Sequence, residues 1–203
     1  MIRKAEYTDI RRALDIYDSA RRFMRSRGNA VQWVNGYPSE ELLRADVAAG
    51  QLYVMEDAGG VYAVFAFIIG DDPTYQVIDG AWLDGGTPYG TLHRLGSDGT
   101  HSGVLSDAVD WAWGRIPHLR ADTHEANRPM RRCLERAGFV YTGVITVADG
   151  TPRRAYERVE TAACTCGEHR PLRSDPVGRD PCVPPRSAGN KPYVGDGVLD
   201  VPL

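Results

Sequence analysis

Two histidines fall where a strand would present them to a ligand: His93 in TLHRLG and His124 at the end of LRADTH. Imidazole is the side chain that titrates closest to neutrality, so each is a candidate to take or give a proton. Side chains alternate along a strand, which puts Arg120, Asp122 and His124 on one face and Ala121 and Thr123 on the other. Asp122 could then orient the His124 ring, making His124, Asp122 and His93 the acid–base candidates. Ordinary loop hydrogen bonds account for these residues equally well. A second group of residues suits a cation. Trp33 and Tyr37 stand in a polar stretch, GNAVQWVNGYPS, and Asp72, Tyr75 and Trp82 follow a hairpin. Aromatic rings with a carboxylate fit a small cationic amine, although rings in polar loops also serve as plain anchors.

Small residues make the third feature. LGSDGTHSGVL, Leu95 to Leu105, runs from a strand pattern into a helical one. A helix start offers unpaired N–H groups and a positive dipole end, so such a loop can hold an anion. Asn127 precedes Pro129 by two residues, the arrangement of a turn or cap before a helix. Cys164, Cys166, His169 and Cys182 contain a Cys3His ligand set, but their C-x-C-x-x-H spacing is not that of a structural zinc site, and no metal is expected. Cys133 reads as a core residue.

These residues need elements to position them. Thr8 is expected to cap a helix whose Ile10, Ala13, Leu14, Tyr17, Ala20 and Met24 share a face, and Ser39 a second helix ending before Gly50. Strands are expected over Leu52 to Glu56 and Val61 to Ile69 around the turn Ala58-Gly59-Gly60, then over Thr74 to Leu83 and Gly90 to Gly96. A helix from Gly103 to Gly114 and a strand from His118 to His124 follow. Next comes a short helix opened by Pro129 and ended by Gly138, then strands Val140 to Val147 and Arg153 to Val159. Two helices, a meander and a strand-helix-strand-helix-strand-strand series make an α+β, or mixed α/β, layout with a sheet covered by helices.

Composition sets the limits. A chain of 203 residues suits one domain, and a net charge of −3 gives no basis for a nucleic-acid partner. The longest apolar run, Val61 to Ile69, is nine residues, too short to span a membrane. The first residues lack a secretory apolar region, and four cysteines form no disulfide framework, which favours a soluble cytoplasmic protein. The domain is expected over residues 1–160. Residues 161–203 hold seven of the 13 prolines and no apolar period, and read as a disordered tail or interaction segment.

The block Asp122 to Phe139, DTHEANRPMRRCLERAGF, resembles the strand-helix-strand segment near the C-terminal end of GCN5-related N-acetyltransferases (the GNAT family). The loop before the helix near Gly103 is similar to that family's Q/R-x-x-G-x-G/A pattern, with Thr100, Gly103 and Leu105 at its defining positions; only Gly103 fits. The resemblance covers residues 1–160. It implies the acyl-CoA N-acyltransferase fold, a central, mostly antiparallel sheet with a splayed strand pair. It also implies an N-acetyltransferase that moves an acetyl group from acetyl-CoA to an amine, here of a small-molecule acceptor, by direct attack in a ternary complex. The cofactor-binding positions it implies are Leu95 and Gly96 on the pantetheine arm, Thr100, His101, Ser102, Gly103 and Val104 at the pyrophosphate, and Asn127 opposite. Trp33, Tyr37, Asp72, Tyr75 and Trp82 are then the acceptor residues. Leu134 stands where the family often carries a Tyr that protonates the departing thiolate. The missing acid leaves a non-catalytic acyl-CoA-binding or sensing domain as the alternative. The resemblance also allows a homodimer.

Overall fold

Strand β3, Gly60–Ile69, is apolar throughout because both of its faces are covered. Ala63, Phe65 and Phe67 belong to one core cluster, and Val64 and Ala66, which alternate with them, to another. The structure is a computed structural model and describes residues 1–160. The expectations placed on residues 161–203, including Cys164, Cys166, His169 and Cys182, lie outside the described residues. Among the described residues, no helix is long and apolar enough to cross a membrane.

The elements are β1 (Ile2–Lys4), α1 (Ile10–Ser26), α2 (Glu40–Ala48), β2 (Leu52–Asp57), β3, β4 (Ile78–Gly80), β5 (Gly90–Ser97), α3 (Val104–Trp113), β6 (His118–Thr123), α4 (Arg128–Arg136), β7 (Val140–Thr146) and β8 (Pro152–Val159). One eight-stranded sheet has the order β1-β2-β3-β5-β6-β8-β7-β4. Every pairing is antiparallel except β5 with β6. Helices α3 and α4 cover one face, where Val104, Leu105, Ala108 and Leu134 meet Phe65, Leu92 and Leu119. Helices α1 and α2 cover the other over β2 and β3, through Ala13, Ile16, Tyr17 and Leu43. Further along that face, no helix lies on the sheet among the described residues. The segment between β3 and β5 folds over it, and Tyr75 and Tyr89 pack on Ile145 and Ala155.

The expected mixed α/β sheet with helical covering is present. Local signals held where a single side chain decides: the Ser39 hydroxyl accepts from the Leu42 amide (3.2 Å), and the Asn127 side chain from the Met130 amide (3.3 Å). Three expectations need correction. Thr8 is not the cap of α1; it lies in a 3-10 turn, Tyr7–Asp9, and Asp9 takes the N-cap position while its carboxylate accepts from the Glu6 amide (2.8 Å). No strand runs from Thr74 to Leu83. Asp72 accepts from the Thr74 amide (2.8 Å) and Pro73 opens a 3-10 turn, Pro73–Tyr75, so only Ile78–Gly80 is extended. Strand β6 stops at Thr123, leaving His124 in the turn before α4.

Strand β5 carries the irregularity that makes the site. Ala66 pairs with His93 and Val64 with Gly96, so β5 holds one residue more than β3 over this interval. The extra residue is accommodated at Arg94, whose φ of 54° is left-handed. The bulge resets the alternation: Leu92 and Leu95, three residues apart, enter the same cluster.

Candidate active site

Strands β5 and β6 pair only from Gly90–Leu119 to Leu92–Ala121. Beyond that point they part, and β5 runs on through His93 to Ser97 with its β6-facing backbone unpaired in the ladder. The parting opens a cleft of about 800 Å³. Its walls are β5 from Leu92 to Ser97, the tip of β6 from Ala121 to Thr123, Asn127, Met130 and Leu134 at α4, and the α1–α2 loop at Gln32, Trp33 and Tyr37. Gly96 is needed here for closeness. A Cβ at this position would stand 3.1 Å from the Tyr17 ring, and Tyr17 in turn meets Trp33 edge to face (5.4 Å between centroids).

The titratable groups pair differently from the strand-face expectation. His93 Nε2 lies 2.8 Å from Asp72 Oδ2, and both line the cleft. The His93 bond holds the Asp72 carboxyl down at about 2, against the cost of burial and helped by the Thr74 amide. Asp72 is further fixed through its own amide, which donates to the Tyr89 hydroxyl (3.0 Å). Asp122 accepts from the Tyr75 hydroxyl (2.8 Å). Burial first, then the Asp122 charge, push the Tyr75 phenol well above its ordinary range, so it serves as a donor.

His124 does not join Asp122. Its Nδ1 accepts from the Ala126 amide (3.1 Å), and it lies outside the cleft lining. Burial, with Arg153 nearby, lowers its pKa and so favours the neutral ring. The strand that would have held Asp122 and His124 in alternation ends one residue too early.

A depressed carboxyl makes the Asp72–His93 pair a pH-dependent element of stability. Asp72 titrates near 3.8 when unfolded and at about 2 when folded. Its contribution is present above pH 3.8 and is lost as the pH falls towards 2, on the order of 2 kcal/mol. Asp72→Asn should remove that dependence. Urea melts of both proteins between pH 5 and pH 2 should converge as the pH drops, and parallel curves would count against the pairing.

The other expected positions divide. Trp33, Tyr37, Asp72, His93, Leu95, Gly96, Asp122 and Asn127 all line the cleft. Tyr75 and Trp82 do not. The 3-10 turn swings Tyr75 inward, Trp82 donates to its carbonyl (3.0 Å), and both border a separate hollow beside Arg120. Thr100, His101, Ser102, Gly103 and Val104 lie outside the lining, past Asp98 and Gly99 at its edge. There the Thr100 amide and hydroxyl both donate to Asp98 (2.9 and 2.6 Å), which is also paired with Arg12. His101 stacks on Tyr62 (3.8 Å) and bridges to Asp57 (3.0 Å). Gly103 is the left-handed N-cap of α3, and Val104 is a core residue. Asn127 is buried, and besides capping α4 its Nδ2 donates to Gln32 (3.2 Å), which Asn29 also contacts (2.9 Å). This pins the α1–α2 loop to the start of α4.

Sequence reasoning missed several groups. Arg94 lines the cleft and pairs with Asp46 (2.6 Å), a carboxyl that burial raises despite the guanidinium. Nothing in the sequence marks a left-handed arginine. Ser97 and Thr123 line the cleft, and their hydroxyls, Ser97 Oγ and Thr123 Oγ1, are buried without a hydrogen-bond partner among the described residues. The alternation along β6 had placed Thr123 opposite Asp122, which is the only hint the sequence carried.

No protein-family model matches the chain, and no curated protein matches it. Solved structures do. A GNAT-family acetyltransferase from Streptococcus agalactiae 2603 superposes with a TM-score of 0.70 at 27% identity, covering 80% of this chain and 96% of that one. A GNAT-family acetyltransferase from Listeria monocytogenes 4b F2365 gives a TM-score of 0.59 at 19% identity over 78% of this chain and 93% of that one. A ribosomal-protein-alanine N-acetyltransferase from Brucella melitensis gives 0.51 at 16% over 79% and 99%, a likeness of fold alone. The parted strand pair, the cleft between the strands and these neighbours agree: the chain has the fold of GNAT-family acetyltransferases, and the likeness at 27% identity supports an acyltransferase of that type.

Proposed function

We propose that the protein transfers an acetyl group from acetyl-CoA to the amine of a small-molecule acceptor, by direct attack within a ternary complex. The observation that carries this reading is the parting of β5 and β6 directly beside the His93–Asp72 pair. An extended pantetheine arm fits such a gap, because the backbone of β5 beyond Leu92 is free to pair with it as an added strand would. The two orphaned hydroxyls of Ser97 and Thr123 also fit a polar chain threaded there. The pyrophosphate would lie at the start of α3, near Gly99 and the amides after Gly103, where a helix N-terminus favours an anion.

His93 is then the group that receives the proton as the amine attacks the thioester carbon. Asp72 holds the ring by Nε2 and leaves Nδ1, which has no partner among the described residues, for that task. Asp122 and His124 stand further from this role, the first engaged by Tyr75 and the second in the turn. Trp33 and Tyr37 face the same cleft, so the acceptor would meet aromatic surface beside the Asp72 carboxylate, which suits a cationic amine.

Leu134 favours a second reading. It is buried in the core where the family resemblance places an acid, and an acyl-CoA-binding domain without turnover would need none. Thiol release from acetyl-CoA, measured with and without a panel of amines, tests both. Amine-dependent release supports transfer. Saturable acetyl-CoA binding without such release supports the sensing domain.

A further inference from the structure

We infer that the Thr123 hydroxyl is the hydrogen-bond donor to the leaving sulfur, in a protein whose α4 presents Leu134 to that position. The inference rests on the cleft being the thioester site. An arm lying between β5 and β6 must end where the strands come together, at Leu92 and Ala121. Its reactive end therefore meets the first unpaired residues, His93 and Arg94 on β5 and Asp122 and Thr123 on β6.

Alternation along β6 fixes which side of the gap each group serves. Leu119 and Ala121 belong to the cluster that contains Leu134, so Thr123 points to the α3–α4 side. Asp122 points to the other, where it meets Tyr75. His93 alternates with Leu92, a member of the Leu134 cluster, and pairs with Ala66 of the α1–α2 side. Base and hydroxyl thus lie on opposite sides of the gap. Thr123 is only 1% exposed, it lines the cleft, and its Oγ1 has no hydrogen-bond partner among the described residues. A buried hydroxyl in native protein nearly always has one, so an orphan on a residue that lines a ligand cleft fits a group whose partner arrives with the ligand. Ser97 is the other such hydroxyl, but it lies on β5 four residues past His93, alongside the arm and away from its end; Arg94 Nε is also unpartnered among the described residues, but its guanidinium is already tied to Asp46 (2.6 Å).

The step balances without a general acid. The amine nitrogen bonds to the carbonyl carbon, its proton passes to His93, and the carbon–sulfur bond breaks with its electron pair kept by sulfur. A thiolate is a stable product near its own pKa, so a hydrogen bond from Thr123 is enough and the hydroxyl keeps its proton. Hydrogen bonds to charged groups are strong enough for a loss of about ten- to a hundredfold when one is removed.

Four proteins test the inference: wild type, Thr123→Val, Thr123→Ser and Thr123→Val/Leu134→Tyr. Thr123→Val, nearly the same shape, should lower kcat about ten- to a hundredfold with little change in the KM for acetyl-CoA. Thr123→Ser should keep most of the rate, and the added tyrosine should restore part of it. The thiol of bound coenzyme A, titrated by its ultraviolet absorbance, should have a pKa about one unit higher in Thr123→Val than in wild type. Equal kcat and equal thiol pKa in wild type and Thr123→Val would overturn the inference. If wild type binds coenzyme A without amine-dependent turnover, N-acetyl transfer is wrong, and the thiol pKa alone decides the role of Thr123. Absence of coenzyme A binding would sink both.

Discussion

His93→Gln should lower kcat/KM for acetyl transfer by about 10²- to 10⁴-fold while leaving the fold intact. Glutamine can keep a hydrogen bond to Asp72, so the loop bearing Asp72 stays in place, but it cannot take a proton from the amine. Asp72→Asn separates orientation from proton transfer. It keeps the ring near its place without the charge that stabilises the imidazolium, and its loss should be smaller, about tenfold. A His93→Gln enzyme with wild-type kcat/KM would show that His93 is only a wall of the cleft. The attacking amine would then lose its proton to solvent.

Much of the architecture could be read because the signals are local. Ser39 and Asn127 each satisfy an amide three residues on, Gly138 ends α4, and the unbroken apolar run from Val61 to Ile69 belongs to a strand covered on both faces. The block from Asp122 to Phe139 carried the family because strand, cap and helix are contiguous in it. What failed was non-local or conformationally improbable. His93 finds Asp72 21 positions away, and Asp122 finds Tyr75 47 positions away. Neither pairing follows from alternation along one strand. A left-handed Arg94 costs conformational energy that only the surrounding sheet can justify, so no pattern announces it. Both failures affect the same feature. The candidate residues were mostly found, but their pairings were not, because those depend on how the segment between β3 and β5 folds back over the sheet.

That segment is held by a buried carboxylate, and Glu157→Leu should therefore be among the most destabilising single changes, at about 3–5 kcal/mol. Glu157 on β8 is fully buried. Its Oε1 accepts from Arg120 Nε (2.9 Å) and lies 2.7 Å from His118 Nε2, while its Oε2 accepts from the amides of Leu83 and Asp84. Arg120 also donates to the Asp84 carbonyl (2.7 Å), and its guanidinium lies between the Trp82 and Tyr89 rings, 4.0 and 3.9 Å from their centroids. Removing the carboxylate leaves a guanidinium buried without its counter-charge and two amides without an acceptor, which costs far more than the net worth of the intact network. Glu157→Leu/Arg120→Met should recover a substantial part of the loss, because an apolar pair of similar volume carries no unpaired charge. Urea denaturation of the two single variants and the double variant measures this coupling, and strictly additive losses would refute it. The consequence reaches the chemistry. Arg120 holds Tyr89, the Tyr89 hydroxyl accepts from the Asp72 amide, and Asp72 orients His93. Glu157→Leu should therefore lower kcat under conditions where the variant is still folded, although Glu157 lies outside the cleft lining. A folded variant with full kcat would show that the His93–Asp72 pair holds its geometry without this support.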